Sequence, residues 1–247
     1  MKFPDSCDLR IKLIRKYFQI EDKLFIHPAL RRLYRVHLKY GPRVVIDVGA
    51  NEGQTIDFFL KLNHQCRIFS FEPNPFLFKK LKKKYSGGKI IIFKYGISDK
   101  DGNKLFYENV FDNTSSFETL NFDSKYTRFK SRVLGINPSE MITKIITVPV
   151  IKLSSFIDEY IDTRIDVIKL DTEGHEFSCL TGLFNDNIKR KISIIQIEYH
   201  DDDLYEKNIS WIKINKLMVA NGFRLLSTIR HGLNSFYEII YKAKHLS

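Results

Sequence analysis

The sequence predicts an α/β protein built on a mostly parallel sheet, and three observations predict it. Short β-branched apolar runs alternate with segments whose apolar residues fall at helical spacing, the pattern of successive βα units. Several runs, such as Ile194-Ile195-Gln196-Ile197, are almost continuously apolar, as strands covered on both faces must be. The first strand, Val44 to Val48, enters a glycine-bearing turn, Gly49-Ala50-Asn51-Glu52-Gly53, and then a helix. That strand, turn and helix form the unit with which α/β proteins hold nucleotide-like ligands.

Taken in order, Leu9 to Tyr40 read as two helices, with Pro28 starting the second, where its missing N–H costs little. This leader, residues 1–40, is expected to cap the sheet, cover a ligand or mediate a dimer contact. The main domain, 41–247, then alternates. Strands are expected at Val44 to Val48, Arg67 to Phe71, Ile90 to Phe93, Asp166 to Leu170 and Ile192 to Glu198. Helices fit near Gln54 to Leu62, Phe76 to Tyr85, Ser155 to Ile161 and His175 to Leu183, and a further helix, Ile209 to Ala220, stops at Asn221-Gly222. Phe223 to Ile229 and Phe236 to Tyr241, parted by His231-Gly232-Leu233-Asn234, read as a closing antiparallel pair. Asp99 to Asn103 reads as a turn between short strands. Residues 113–147 form a polar insertion without a long periodic run, a candidate substrate lid. Its Lys125, Arg128, Lys130 and Arg132 would favour an anionic acceptor.

With 247 residues and 43% hydrophobic content the chain can bury a sizeable core. No apolar run approaches the ~20 residues that span a bilayer, and the N-terminus lacks the apolar core of a signal peptide. Cys7, Cys66 and Cys179 are too few and too odd in number for a disulfide frame, and read as reduced thiols of a cytoplasmic protein. The net charge of +11 is weak evidence for a nucleic-acid partner, because runs such as Lys79 to Lys84 fall on an expected solvated helix face.

The glycine turn is not a phosphate cradle. A phosphate-binding loop ends Gly-Lys-Ser/Thr, and here the ending is Gly53-Gln54-Thr55. The dinucleotide fingerprint needs three glycines, and position 51 is asparagine. Asp47, before the turn, would repel a pyrophosphate but would hold an ammonium through water. Glu72, at the end of the second strand, stands where an acid accepts hydrogen bonds from ribose hydroxyls. A ligand with a ribose and a positive charge but no phosphate suits both acids, and S-adenosylmethionine is such a ligand.

Three blocks then resemble the signatures of the FkbM family of S-adenosylmethionine-dependent methyltransferases. They are Ile46-Asp47-Val48-Gly49-Ala50-Asn51-Glu52-Gly53-Gln54-Thr55, then Phe71-Glu72-Pro73-Asn74-Pro75, then Ile168-Lys169-Leu170-Asp171-Thr172-Glu173-Gly174-His175-Glu176. The first is shared by many methyltransferases; the Asp-x-Glu-Gly-x-Glu pattern of the third is more specific. The resemblance implies a Rossmann-like class I methyltransferase fold, with a mostly parallel seven-stranded sheet, a C-terminal antiparallel strand and here an N-terminal helical extension. It implies O-methylation of sugars, glycolipids or secondary metabolites. On this reading Asp47, Gly49, Ala50, Asn51, Gly53, Gln54 and Thr55 line the methionine end of the cofactor. Glu72 takes the ribose, Pro73 and Asn74 shape that rim, and the Gly96-Ile97-Ser98-Asp99 turn meets the adenine.

Hydroxyl methylation needs the acceptor aligned and its proton removed. Asp171, Glu173 and His175 are the candidates for that work, with Asp171 also near the cofactor and Glu198 and His200 expected close by. Helix capping is the better account of Glu176. The carboxylates with His175 and His200 have the donor types for a divalent cation, but no metal-ligand spacing is visible and no metal is predicted. A small-molecule or glycan acceptor is the expectation, and a homo-oligomer is compatible with it. Two readings compete: an RNA ribose methyltransferase, disfavoured because Lys169 sits inside a strand and no RNA-binding module is visible, and a non-catalytic partner subunit, disfavoured because the cofactor residues are intact.

Overall fold

A computed structural model describes residues 5–110, 114–184, 187–207, 209–232 and 236–246. Position 113 of the insertion, Leu233 and Asn234 of the expected turn, and the first four residues lie outside them.

The predicted parallel sheet is present with seven strands: β1 (Val44–Val48), β2 (Arg67–Phe71), β3 (Ile90–Phe93), β7 (Ile165–Leu170), β8 (Ile192–His200), β9 (Phe223–Arg230) and β10 (Phe236–Ala243). Their order is β3-β2-β1-β7-β8-β10-β9. Only β10 runs against its neighbours, pairing antiparallel with β8 and with β9. The order reverses between β1 and β7, and in open α/β sheets the crevice beyond the carboxyl strand ends at such a point takes the ligand.

Both faces are covered, which explains the continuously apolar strands. One core joins Ile46, Phe69 and Ile195 to α6 (Leu153–Tyr160), α7 (Glu176–Phe184) and α8 (Trp211–Ala220). The other joins Val45, Ile68 and Ile194 to α3 (Gln54–Leu62) and α4 (Pro75–Lys84). Gly49 holds the centre together. Its φ is +91°, and a Cβ there would lie 1.9 Å from the carbonyl oxygen of Asp171. Gly49→Ala is therefore expected to destabilise by at least about 1–3 kcal/mol through backbone strain, read from urea unfolding; an unchanged midpoint would refute this account.

The leader differs from the expectation. It is one run, in which α1 (Asp5–Glu21) passes through a π-turn (Asp22–Ile26) into α2 (His27–His37). Pro28 has no N–H to continue an α ladder, so the chain widens there, with the His27 N–H reaching back to Asp22. Ile26, Leu30, Tyr34 and Leu38 join the second core, so α2 caps that face of the sheet.

The 113–147 stretch also differs. It contains α5 (Lys125–Leu134), capped by Ser124 on the Thr127 N–H and stopped by Gly135 at φ +74°. The stretch then enters β6 (Ile142–Lys152), which pairs with β4 (Gly96–Ser98) and β5 (Gly102–Asn109) in a second sheet of order β4-β6-β5. Of the turn expected at Asp99 to Asn103, Asp99 to Asp101 lie between β4 and β5, while Gly102 and Asn103 already belong to β5. α5 packs on α1 through Ile11, Ile14 and Leu134, and Arg10 Nη1 donates to the Val133 carbonyl at 2.9 Å. Among the described residues no helix is long and apolar enough to cross a membrane. Cys66 and Cys179 are buried free thiols.

Candidate active site

A cavity of about 450 Å³ opens beyond the carboxyl ends of β1, β2, β7 and β8, within the size range of small-molecule sites. Four parts of the chain enclose it: the strand-end loops, the leader through Ile14, Ile26 and Leu30, α5 through Tyr126, Phe129 and Lys130, and β10 through Phe236 and Glu238.

The first loop is built as the glycine pattern implied. The Gly49 and Ala50 N–H groups donate to the Phe71 carbonyl at 3.1 and 3.0 Å, which brings the loop against the end of β2. Glu72 then locks it, since Oε2 accepts from the Asn51 N–H at 2.7 Å and Oε1 from the Asn74 N–H at 2.8 Å. Asn51 is held at φ 47° and Glu173 at φ 56°, the two positive-φ residues other than glycine among the described residues. Both line the cavity. Strain of this kind persists where the surroundings enforce it, and commonly at ligand sites.

Of the residues expected at the cofactor, Gly49, Ala50, Asn51, Gln54, Thr55, Glu72, Pro73 and Asp171 lie on the wall. Four do not. Asp47 is fully buried behind it, with Oδ2 accepting from Ser70 Oγ at 3.0 Å. Burial pushes its carboxyl up to about 7, against the pull of the Ser70 hydroxyl. Gly53 lies under Tyr85, whose hydroxyl donates to the Gly53 carbonyl at 2.9 Å. Asn74 caps α4, its side chain accepting from the Phe76 and Leu77 N–H groups. Ser98 is buried in β4, and its hydroxyl meets His175. Tyr95, Gly96 and Ile97 reach the wall in its place.

Of the three catalytic candidates, Asp171 and Glu173 face the cavity and His175 does not. The imidazole is 2% exposed, with Nε2 3.0 Å from Ser98 Oγ and Nδ1 2.7 Å from Glu118 Oε1. With both nitrogens occupied inside the protein, His175 braces the loop instead of facing an acceptor. Glu176 does cap the turn, its Oε1 accepting from the Thr172 and Gly174 N–H groups at 2.8 and 3.2 Å.

The wall carries a buried ionic cluster that sequence reasoning underestimated. Lys169 Nζ lies 3.2 Å from Glu238 Oε1, 3.3 Å from Glu198 Oε2 and 3.6 Å from Asp171 Oδ2. Gln196 Nε2 donates to Glu238 Oε2 at 2.8 Å, and Tyr34 of the leader donates to Gln196 Oε1. Burial opposes the lysine charge, but the three carboxylates outweigh it and hold the ammonium well above its ordinary value. Burial likewise favours a protonated Glu238, yet Lys169 and His231 win and lower it. Asp171 goes the other way: burial, with Glu198 adding, raises it against the pull of Lys169. Glu173 is raised by burial despite His200. For His200, burial alone would lower the imidazole, but Glu173, Asp202 and Glu198 lift it to about 10. Lys169 was placed inside a strand, and so it is, yet it lines the cavity. The visible signal for this cluster was a charged or amide residue inside each apolar strand run, at 169, 196 and 238.

The Methyltransferase FkbM domain matches residues 47–225. The chain belongs to this family. It is a methyltransferase. Among curated proteins it is similar to the 2-O-methyltransferase NoeI of Sinorhizobium fredii, with 25% identity over 191 residues, 77% of this chain and 76% of that one. Among solved structures it is similar to magnesium protoporphyrin IX methyltransferase (ChlM) from Synechocystis PCC 6803 with bound SAH. The TM-score there is 0.50 at 9% identity, covering 93% of this chain and 85% of that one. That likeness shows the class I methyltransferase fold.

Proposed function

We propose that this FkbM-family protein transfers the methyl group of S-adenosylmethionine to a hydroxyl of a sugar, a glycan or glycolipid precursor, or a secondary metabolite. The observation that carries the reading is the pairing of Glu72 and Asp171 across one cavity. Glu72 would hold the ribose, and Asp171 stands beside the Gly49 turn, where the methionine end of the cofactor would lie. The match to a 2-O-methyltransferase supports oxygen as the acceptor atom.

The chemistry is an in-line displacement at a sulfonium carbon. Glu72 would accept the ribose hydroxyls through its carboxylate oxygens. Asp171, with its raised affinity for protons, would take the acceptor proton as the C–O bond forms; a base near the working pH is the effective one. Lys169 would stay charged, holding Glu198 and Glu238 in place. The leader and α5 would exclude water, α5 serving as the lid, and Lys130 would attract an anionic acceptor.

Calorimetric titration with S-adenosylhomocysteine tests the cofactor site. Wild-type protein is expected to bind in the micromolar range, and Glu72→Ala to bind about 10–150-fold more weakly, the effect of about 1.5–3 kcal/mol for a charged hydrogen bond. Because Glu72 also anchors the Asn51 and Asn74 N–H groups, the variant's circular dichroism is recorded alongside. Wild-type affinity in a folded Glu72→Ala protein would remove the ribose assignment.

The ribose-methylating reading gains one observation. Lys169, Asp171, Glu198 and Glu238 meet at the cavity, the lysine and carboxylate set that such a reaction would use. Steeply salt-dependent RNA binding would favour it over a small acceptor.

A further inference from the structure

Beside the ionic cluster, and sharing Glu198 with it, stands a second group of side chains. His200, at the end of β8, is 5% exposed, and among the described residues neither ring nitrogen has a hydrogen-bond partner. Its Nε2 points at two carboxylates, 3.2 Å from Glu173 Oε2 and 3.9 Å from Glu198 Oε1. The three donor atoms lie within 4.8 Å of one another. Ligands bound at about 2.0–2.2 Å on adjacent positions of one ion stand about 3 Å apart, so small movements would close the set.

We propose that Glu173 Oε2, Glu198 Oε1 and His200 Nε2 form a binding site for a divalent cation of the manganese or magnesium class, with its open positions facing the cavity.

The surroundings resemble a support for ligands more than a plain ion pair. Tyr205 Oη donates to Glu173 Oε2 at 2.9 Å and fixes that carboxylate. Asp202 Oδ2 lies 3.8 Å from His200 Nδ1, on the far side of the ring from the carboxylates. A carboxylate behind a histidine is the arrangement that orients a metal-bound imidazole and strengthens it as a ligand. Glu198 divides its two oxygens, Oε2 towards Lys169 at 3.3 Å and Oε1 towards His200. Glu173 has no lysine or arginine within ion-pair distance among the described residues, and it is held in the left-handed conformation that turns it into the group. A second trio, Glu198, His231 and Glu238, has the same donor types. There the Lys169 ammonium already stands between the two carboxylates, so that trio is satisfied from within the chain.

Two carboxylates and one imidazole, which releases its proton to solvent as the ion binds, suit manganese or magnesium better than a soft, thiolate-seeking ion. Because Glu173 and Glu198 line the cavity, the remaining ligand positions would be open to an acceptor carrying adjacent oxygens. That role rests on the proposed function; the binding of the ion does not.

Manganese(II) is the probe. Titration of metal-free protein, followed by loss of the free-ion paramagnetic resonance signal, is expected to give one site per chain in the micromolar range. Echo-modulation spectra of the bound ion should show coupling to a directly bound imidazole nitrogen, a readout that needs no variant. His200→Asn and Glu173→Gln, each checked for folding by circular dichroism, should weaken binding at least tenfold. Absence of binding, absence of nitrogen coupling, or equal binding in folded His200→Asn would each overturn the site. Manganese binding in protein that does not bind S-adenosylhomocysteine would leave the site standing and sink the methyl-transfer reading alone.

Discussion

Asp171→Asn is expected to lower kcat by about 10²–10⁴-fold, the range lost when a positioned general base is removed. The substitution keeps the shape and removes only the capacity to take a proton. The backbone there is pinned: the Asp171 N–H donates to the Val48 carbonyl at 3.0 Å, and its own carbonyl fills the space that Gly49 leaves. The carboxamide that replaces it therefore stays at the cavity wall in the variant. S-adenosylhomocysteine affinity should change less than kcat does. Burial and Glu198 raise the Asp171 pKa, so the carboxyl is partly protonated near neutrality and must lose its proton to act. Wild-type kcat/KM should accordingly rise with pH through the neutral range, and this limb should be absent from the variant. Stability should move in the opposite sense. An acid whose folded pKa lies above its unfolded value favours folding at low pH and loses that contribution as pH rises towards the folded value. Removing the ionisable group removes a cost at neutral pH, so Tm should stay level or rise while turnover collapses. The assay is methyl transfer to a panel of sugar hydroxyls with the pH profile recorded. Wild-type turnover in the variant would shift the base role to Glu173.

The legible parts were those whose cause lies within a few residues. β1, its glycine turn and α3 follow from a β-branched run, two glycines at positive φ and helical spacing, and all three elements appear at the expected residues. Glu72 was legible as a wall residue because it ends a strand next to the glycine turn, although its carboxylate also anchors the Asn51 and Asn74 N–H groups. Asn74 was misassigned although its local signal was present: an asparagine before a proline at a helix start is a capping pattern. His175 was not readable, since Glu118 and Ser98 meet it from 57 and 77 residues away. α5 was hidden for a different reason. Its apolar residues Tyr126, Phe129, Val133 and Leu134 do recur at helical spacing, but serine, threonine and four basic residues dilute them. β6 was divided by the polar boundary placed at Thr147, although its second half alternates as a strand should. The leader's share of the site, through Tyr34 and Asp22, is tertiary: nothing in residues 5–40 announces that Gln196 and His231 await them.

Lys169→Met is expected to destabilise the fold by about 3–5 kcal/mol, the cost of leaving buried charge without its partner. Methionine fills a similar volume, so the loss is electrostatic and not a cavity effect. Glu238 and Lys169 are both almost fully buried and 3.2 Å apart, with Glu198 and Asp171 completing a shell of carboxylates around one ammonium. In the wild type the lysine pKa is raised, so its contribution is complete at neutral pH and lost only as pH climbs through that raised value. The Glu238 pKa is lowered, so its contribution holds above the ordinary carboxylate range and is lost as pH falls through the depressed value. The variant reverses the second sign. Without the ammonium, burial is left to raise the Glu238 carboxyl, and the folded state takes up a proton there as pH falls. His231, 3.7 Å from Glu238, adds to this as it charges. The stability deficit should therefore be largest near pH 8 and smaller at pH 5, measured by urea unfolding of both proteins at each pH. A deficit that does not vary between those pH values would mean that Lys169 acts by packing and not by charge.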